Sequence, residues 1–162
     1  MGDTVVTTLD ADLQEAAYQA LGEKKGAVVV MEPKTGKILA MVSKPDFDPN
    51  TVESSWNALS TDENSVLLNR ATQGQYAPGS TFKVVTLLEF MRENPDYSSY
   101  SYNCTGSIEN SGIKIHCYNG HVHGQVSLEE SLAYSCNTSF SNIGLSLDPV
   151  KFKKTAEEVL FD

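Results

Sequence analysis

The sequence predicts an α+β fold, and three observations carry that reading. An apolar run and its return across a polar turn make a β-hairpin near the N-terminus. The second half holds a series of helices, each with a start signal and one apolar face. No internal repeat organises the chain, so strands come first and helices mostly follow. A length of 162 residues suits one domain or part of one. Hydrophobic residues at 40% and charged residues at 20% are ordinary for a globular protein able to bury a core.

Thr4 to Thr8 is a β-rich run and reads as a strand. Asp10 is an N-cap for a helix whose apolar positions are Leu13, Ala16, Ala17, Ala20 and Leu21, with Gly22 as its stop. Ala27 to Met31 and Lys37 to Ser43 are the hairpin strands, joined by a turn at Glu32-Pro33-Lys34-Thr35-Gly36. Residues 44–75 read as mostly irregular, with one short packed turn at Trp56 and Leu59. Pro78-Gly79-Ser80 opens a helix carrying Val84, Leu87, Leu88 and Met91 on one face, and Asn94-Pro95 ends it. Residues 96–126, rich in Tyr, Ser, Asn and Gly, read as loops and short strands. Ser127-Leu128-Glu129-Glu130 is a capping box for a helix ending near Tyr134-Ser135. A short helix follows over Thr138 to Leu145, and Asp148-Pro149 starts a last one with Phe152, Ala156, Val159 and Leu160 on one side.

Charge and hydropathy exclude several functions. A net charge of −9, with only two arginines (Arg70 and Arg92) and no basic run, argues against nucleic acid or an anionic membrane as partner. The longest apolar run, Ala27 to Met31, is far short of the roughly 18 residues a membrane span needs. Met1-Gly2-Asp3-Thr4 has no basic-then-apolar leader, although a longer parent is free to carry a leader or anchor upstream.

Chemistry concentrates at two short motifs. Ser80-Thr81-Phe82-Lys83 puts a hydroxyl and an amine three residues apart, on one helical face. Serine needs a neighbouring base to become a nucleophile, and a lysine whose pKa is lowered by burial can be that base. Ser135-Cys136-Asn137 puts a second hydroxyl and a carboxamide at a turn. The hydroxyl can relay a proton, and the carboxamide can hold a peptide by donor and acceptor. Each motif alone is more often a helix cap with a solvated Lys or Asn.

Their order brings a family into view. Pro-Gly-Ser80-Thr-Phe-Lys83 followed by Ser135-Cys-Asn137-Thr-Ser-Phe resembles the penicillin-binding protein transpeptidase domain, closest to the class B, monofunctional type. Thr7-Thr8-Leu9-Asp10, the Glu32–Ser43 hairpin, Phe47-Asp48-Pro49-Asn50, Asn69-Arg70-Ala71 and His123-Gly124 also fit, so the resemblance spans nearly the whole chain. It implies the N-terminal half of a β-lactamase/transpeptidase-like fold. Residues 1–43 would be the strand–helix–hairpin part of the sheet, and 44–162 a mostly helical part carrying both motifs.

The resemblance further implies a bacterial peptidoglycan D,D-transpeptidase as parent. In it Ser80 would be acylated by D-Ala-D-Ala stem peptides or β-lactams. Lys83 would be the general base, Ser135 the proton relay and Asn137 a substrate-binding residue. No cofactor or metal is implied. The parent would be membrane-anchored and act on the extracytoplasmic face. A class D-like β-lactamase or a non-catalytic β-lactam sensor is the alternative. Lys34-Thr35-Gly36 matches the family's third motif in letters but precedes Ser80, so it reads as a turn. The family's own Lys-Thr-Gly lies well downstream of the Ser-x-Asn, on a strand that would also give one oxyanion N–H; the other would be that of Ser80. After Asn137 no such tripeptide occurs, so the chain alone is expected to be weak or inactive and to self-associate through unpaired sheet edges.

Cys104, His116, Cys117, His121 and His123 cluster within 20 residues. Their spacing matches no zinc pattern, which favours a Cys104–Cys117 disulfide or free thiols over a metal. Cys136 is expected to pack inward as a small apolar residue. Tyr97, Tyr100, Tyr102 and Tyr118 are candidates for a groove lining or for loop packing.

Overall fold

The structure is a computed structural model that describes residues 2–161. It forms two units, Met1–Tyr76 and Ala77–Asp162.

The first unit is a helix on a hairpin. Helix α1 (Ala11–Leu21) starts where the Asp10 carboxylate accepts from Leu13 N–H and stops at Gly22, whose φ of 55° suits a residue with no Cβ. Strands β1 (Gly26–Met31) and β2 (Ile38–Lys44) pair antiparallel, with an irregularity between Val30 and Met31. Ala17 on α1 packs on Ala40 and Val42 of β2, with Tyr18, Leu21, Val28 and Val30 around them. Gln14 adds a directional tie: its amide donates to Met41 O and accepts from Met41 N–H, both at 2.8 Å. Lys34-Thr35-Gly36 lies in the hairpin turn, with Gly36 at φ 73° and its N–H on Glu32 O, as its sequence predicts.

Two expectations for this unit fail. Thr4–Thr8 is not a strand: Val5 and Val6 are 81% and 91% exposed, and only Thr8 Oγ1 and Asp10 N–H reach β2. High β-propensity does not make a strand where no ladder partner covers it. Conversely, residues 44–75 hold α2 (Val52–Ser60) and the single turn α3 (Arg70–Gln73). Helix α2 carries Val52, Trp56 and Leu59 at helical spacing but buries no residue fully and has no side-chain cap. Buried Arg70 donates to the carbonyls of Asn64, Ser65 and Leu68, gathering that loop.

In the second unit a 3₁₀ turn (Gly79–Phe82) leads into α4 (Lys83–Glu93). Strands β3 (Ser101–Cys104) and β6 (Gly124–Ser127) pair antiparallel and bracket the hairpin of β4 (Ser107–Asn110) and β5 (Ile113–His116). Ser111 and Gly112 turn that hairpin with φ of 51° and 80°, the signs a two-residue primed turn requires. Then come α5 (Leu128–Ala133), opened by the complete Ser127/Glu130 capping box, α6 (Asn137–Ser146), and α7 (Pro149–Glu158) on an Asp148 cap. Phe90, Leu128, Phe140, Ile143 and Leu147 form the core that binds α4, α5 and α6 together. Thr155 of α7 donates to the buried Glu89 carboxylate of α4 and accepts from Arg92.

Candidate active site

Ser80 sits inside the 3₁₀ turn and Lys83 is the first residue of α4. In a 3₁₀ turn residues i and i+3 eclipse, so the two side chains share one side by local geometry alone. Gly79 enters the turn at φ 56°, a conformation that penalises any Cβ. Lys83 Nζ lies 3.2 Å from Ser80 Oγ.

The second motif arrives through the tertiary fold. Helix α5 ends at Ala133, and Ser135 turns the chain with φ 51° before α6 begins. This left-handed conformation is unfavourable for a residue with a Cβ, at roughly 1–2 kcal/mol. It brings Ser135 and Asn137 over Lys83. The lysine Nζ reaches Ser135 O and Ser135 Oγ at 2.8 Å each and Asn137 Oδ1 at 2.7 Å. Ser135 Oγ also donates to Ser80 Oγ at 3.0 Å, closing a triangle of two hydroxyls and one amine. Asn137 Nδ2 donates to His116 O at 2.9 Å, so β5 holds the carboxamide plane. One amide N–H and one lone pair of Asn137 then remain for a ligand. All four residues singled out in the sequence therefore meet.

Burial lowers the pKa of Lys83 from its ordinary value, opposed by the nearby thiols of Cys136 and Cys117, which raise it. Four oxygens surround an amine that has three protons when charged and two when neutral. A neutral Lys83 has a lone pair to offer the Ser80 proton. A cleft of about 590 Å³ opens at Ser80, Ser135 and Asn137, walled by Tyr118, Asn119, His121, His123 and Tyr134. Of the tyrosines considered from sequence, only Tyr118 lines it; Tyr100 instead packs edge-on against Phe90 in the core.

Behind the turn lies part of the Cys/His cluster noted in the sequence, joined by Cys136, which its spacing did not connect to it. Cys104, Cys117, Cys136 and His123 bring one donor atom each to within 4.8 Å of one another. The three thiols are free rather than disulfide-linked. Hydrogen bonds from Thr138 and His123 outweigh burial, which alone would raise it, and bring the Cys104 thiol down to about 5; burial pushes Cys136 up. Cys136 is wholly buried, as expected, but among polar donors rather than in an apolar core.

A serine hydroxyl touched by a lysine amine and a second hydroxyl is the arrangement that serine–lysine acyl transfer requires. Comparison with known proteins gives the family. The chain belongs to the penicillin binding protein transpeptidase domain family, whose model matches residues 26–162. The peptidoglycan D,D-transpeptidase PbpA of Mycolicibacterium smegmatis is 39% identical, over 96% of this chain and 35% of the relative. MrdA of Escherichia coli, another peptidoglycan D,D-transpeptidase, is 31% identical over 90% of this chain and 24% of its own length. The ceftriaxone acyl-enzyme complex of Mycobacterium tuberculosis penicillin-binding protein A superposes with a TM-score of 0.83 at 33% identity, over 93% of this chain and 38% of that one. Pseudomonas aeruginosa PBP2 superposes at 0.85 with 30% identity, over 94% and 35%. The α+β architecture expected from sequence is thus that of partial penicillin-binding transpeptidase domains. The chain spans about a third or less of the length of these relatives. Among the described residues no helix is long and apolar enough to cross a membrane.

Proposed function

We propose that the whole protein is a peptidoglycan D,D-transpeptidase working on the extracytoplasmic face of a bacterial membrane, and that Ser80 is its nucleophile. The observation that carries this is the contact of Lys83 Nζ with Ser80 Oγ, Ser135 Oγ and Asn137 Oδ1 together. Neutral Lys83 takes the Ser80 proton as Oγ attacks the carbonyl carbon of the penultimate D-Ala. The tetrahedral centre collapses to an ester on Ser80 and the peptide C–N bond breaks. Ser135, hydrogen-bonded to both Lys83 and Ser80, passes the proton from Lys83 to the leaving D-Ala amine. The amine of a second stem peptide then attacks the ester, its proton returns through Ser135 and Lys83, and Ser80 is regenerated. Asn137 uses its remaining N–H and lone pair on the substrate backbone. A β-lactam enters the same first step, its ring amide replacing the D-Ala-D-Ala bond. The acyl-enzyme named for the M. tuberculosis relative is consistent with this reading.

The test is intact mass of the whole protein after exposure to benzylpenicillin. A single adduct on wild type and none on Ser80→Ala is the expected result. Absence of an adduct on both overturns the assignment. Rapid loss of the adduct with stoichiometric excess of hydrolysed drug identifies a β-lactamase instead.

A further inference from the structure

We propose that Ser131, Ser139 and Tyr100 are positioning residues for Ser135, acting through a buried chain of hydroxyls that locks helix α5 to helix α6. The proposal rests on the acylation reading above and adds what holds its proton relay in place.

Ser135 and Asn137 are held differently. Asn137 has an anchor of its own, because its Nδ2 donates to His116 O at the end of β5. Among the described residues the Ser135 hydroxyl bonds only to Lys83 and Ser80, the two groups it is to serve. Its backbone N–H donates to Leu132 O at 3.0 Å. Its φ of 51° is a conformation that a residue with a Cβ keeps only where the surroundings impose it. The place of the Ser135 hydroxyl is therefore set by how α5 and α6 meet.

Ser131 of α5 and Ser139 of α6 flank that turn, and both are wholly buried. Their Oγ atoms lie 2.7 Å apart. The single Ser131 proton goes to Ser127 O at 2.7 Å, so Ser139 is the donor of the pair. Ser139 Oγ in turn accepts from the Tyr100 hydroxyl at 3.0 Å, a proton shared with Ser139 O at 3.3 Å. Asn142 Nδ2 donates to the Tyr100 oxygen at 3.4 Å. Every hydroxyl in the chain donates and accepts, and all protons point toward α5. Such a chain polarises along its length, and a buried member left unpaired is costly.

Tyr100 ties the chain to the helix that carries the base. Its ring packs edge-on against Phe90 of α4, with centroids 5.3 Å apart, and α4 begins at Lys83. Two alanines would also pack α5 against α6, but without direction. Hydrogen bonds fix both separation and angle. That matters here because a displacement of about 1 Å costs roughly a hundredfold in rate where proton transfer depends on alignment.

The experiment follows acylation of the whole protein by a chromogenic cephalosporin in stopped flow. The dependence on drug concentration separates the first-order acylation step from drug binding. Ser139→Ala and Ser131→Ala should each slow the acylation step by about tenfold to a hundredfold. Drug binding should stay within about twofold of wild type, because Asn137 keeps its own anchor. The double variant should be slower than the slower single variant by no more than about twofold, since one chain breaks once. Tyr100→Phe keeps the ring on Phe90 and removes only the proton given to Ser139. It should slow the step by about two- to fivefold, and it decides the matter if a serine variant fails to fold. An unchanged acylation step in folded Ser139→Ala or Tyr100→Phe overturns the positioning role, even if the urea midpoint falls, because packing alone predicts that result. Multiplying defects in the double variant overturn the chain. No adduct on wild-type Ser80 is a separate failure: it removes the acylation reading and any role in acylation with it.

Discussion

The side chains of Ser135 and Asn137 face a solvent-open cleft, while that of Cys136, between them, is wholly buried among sulfurs. One tripeptide thus serves two clusters of opposite character. The cleft cluster is assembled from exposed hydroxyls and an amine that, in the proposed mechanism, exchange protons with a substrate. The buried cluster is assembled from atoms that gain by being fixed. The difference shows how a fold holds a reactive arrangement in water: it places the anchor on the alternate residue, pointing the other way, where mobility is lowest.

The sharpest way to break this comparison is on the cleft side. Ser80→Ala removes the proposed nucleophile, and the penicillin adduct should vanish while the thermal midpoint stays near that of wild type. Lys83→Ala should slow acylation by about a hundredfold to ten-thousandfold, the usual weight of a general base, in stopped-flow acylation with a chromogenic cephalosporin. The lysine's pH dependence adds a sign. Burial lowers its pKa, so the neutral base is present from a lower pH than for a free lysine. Acylation should rise with pH and level off above the folded pKa, below 10.5, with Ser80, Ser135, Asn137 and the Cys117 and Cys136 thiols as the groups facing it. A flat profile that survives in Lys83→Ala would remove the base role.

The core behind both clusters gives the next effect. Ile143 is fully buried, and Ile143→Ala should destabilise the protein by about 2–5 kcal/mol in urea denaturation. Ser127→Ala breaks the capping box that opens α5 and should cost about 1 kcal/mol by the same measurement. Lys34→Ala, in the misplaced Lys-Thr-Gly, should change neither stability beyond about 0.5 kcal/mol nor acylation. A large acylation defect there would give the hairpin turn a role that its position in the first unit does not suggest.

Much of this was legible beforehand, for local reasons. The caps at Asp10, Ser127 and Asp148, the hairpin, and the Ser80/Lys83 pairing all depend on residues within a few positions of each other. Sequence spacing encodes such contacts directly. The failures share the opposite cause. Thr4–Thr8 has strand propensity but no ladder partner, and α2 forms without a side-chain cap and buries no residue fully, so neither end of it is marked in the sequence.

The sequence by itself determined the family, the α+β class and the four residues of the cleft, because each motif is short and its order along the chain is distinctive. Only the tertiary structure decided that Ser135 and Asn137 close on Lys83 across more than 50 positions, and that His116 lends its carbonyl to Asn137. It alone gathered three cysteines and a histidine, no two closer than six positions, around one point. The physical reason is the same in each case. Their proximity comes from how β3, β5, β6 and the α5–α6 turn stack, and strand pairing between distant segments leaves no fixed spacing in the chain to read.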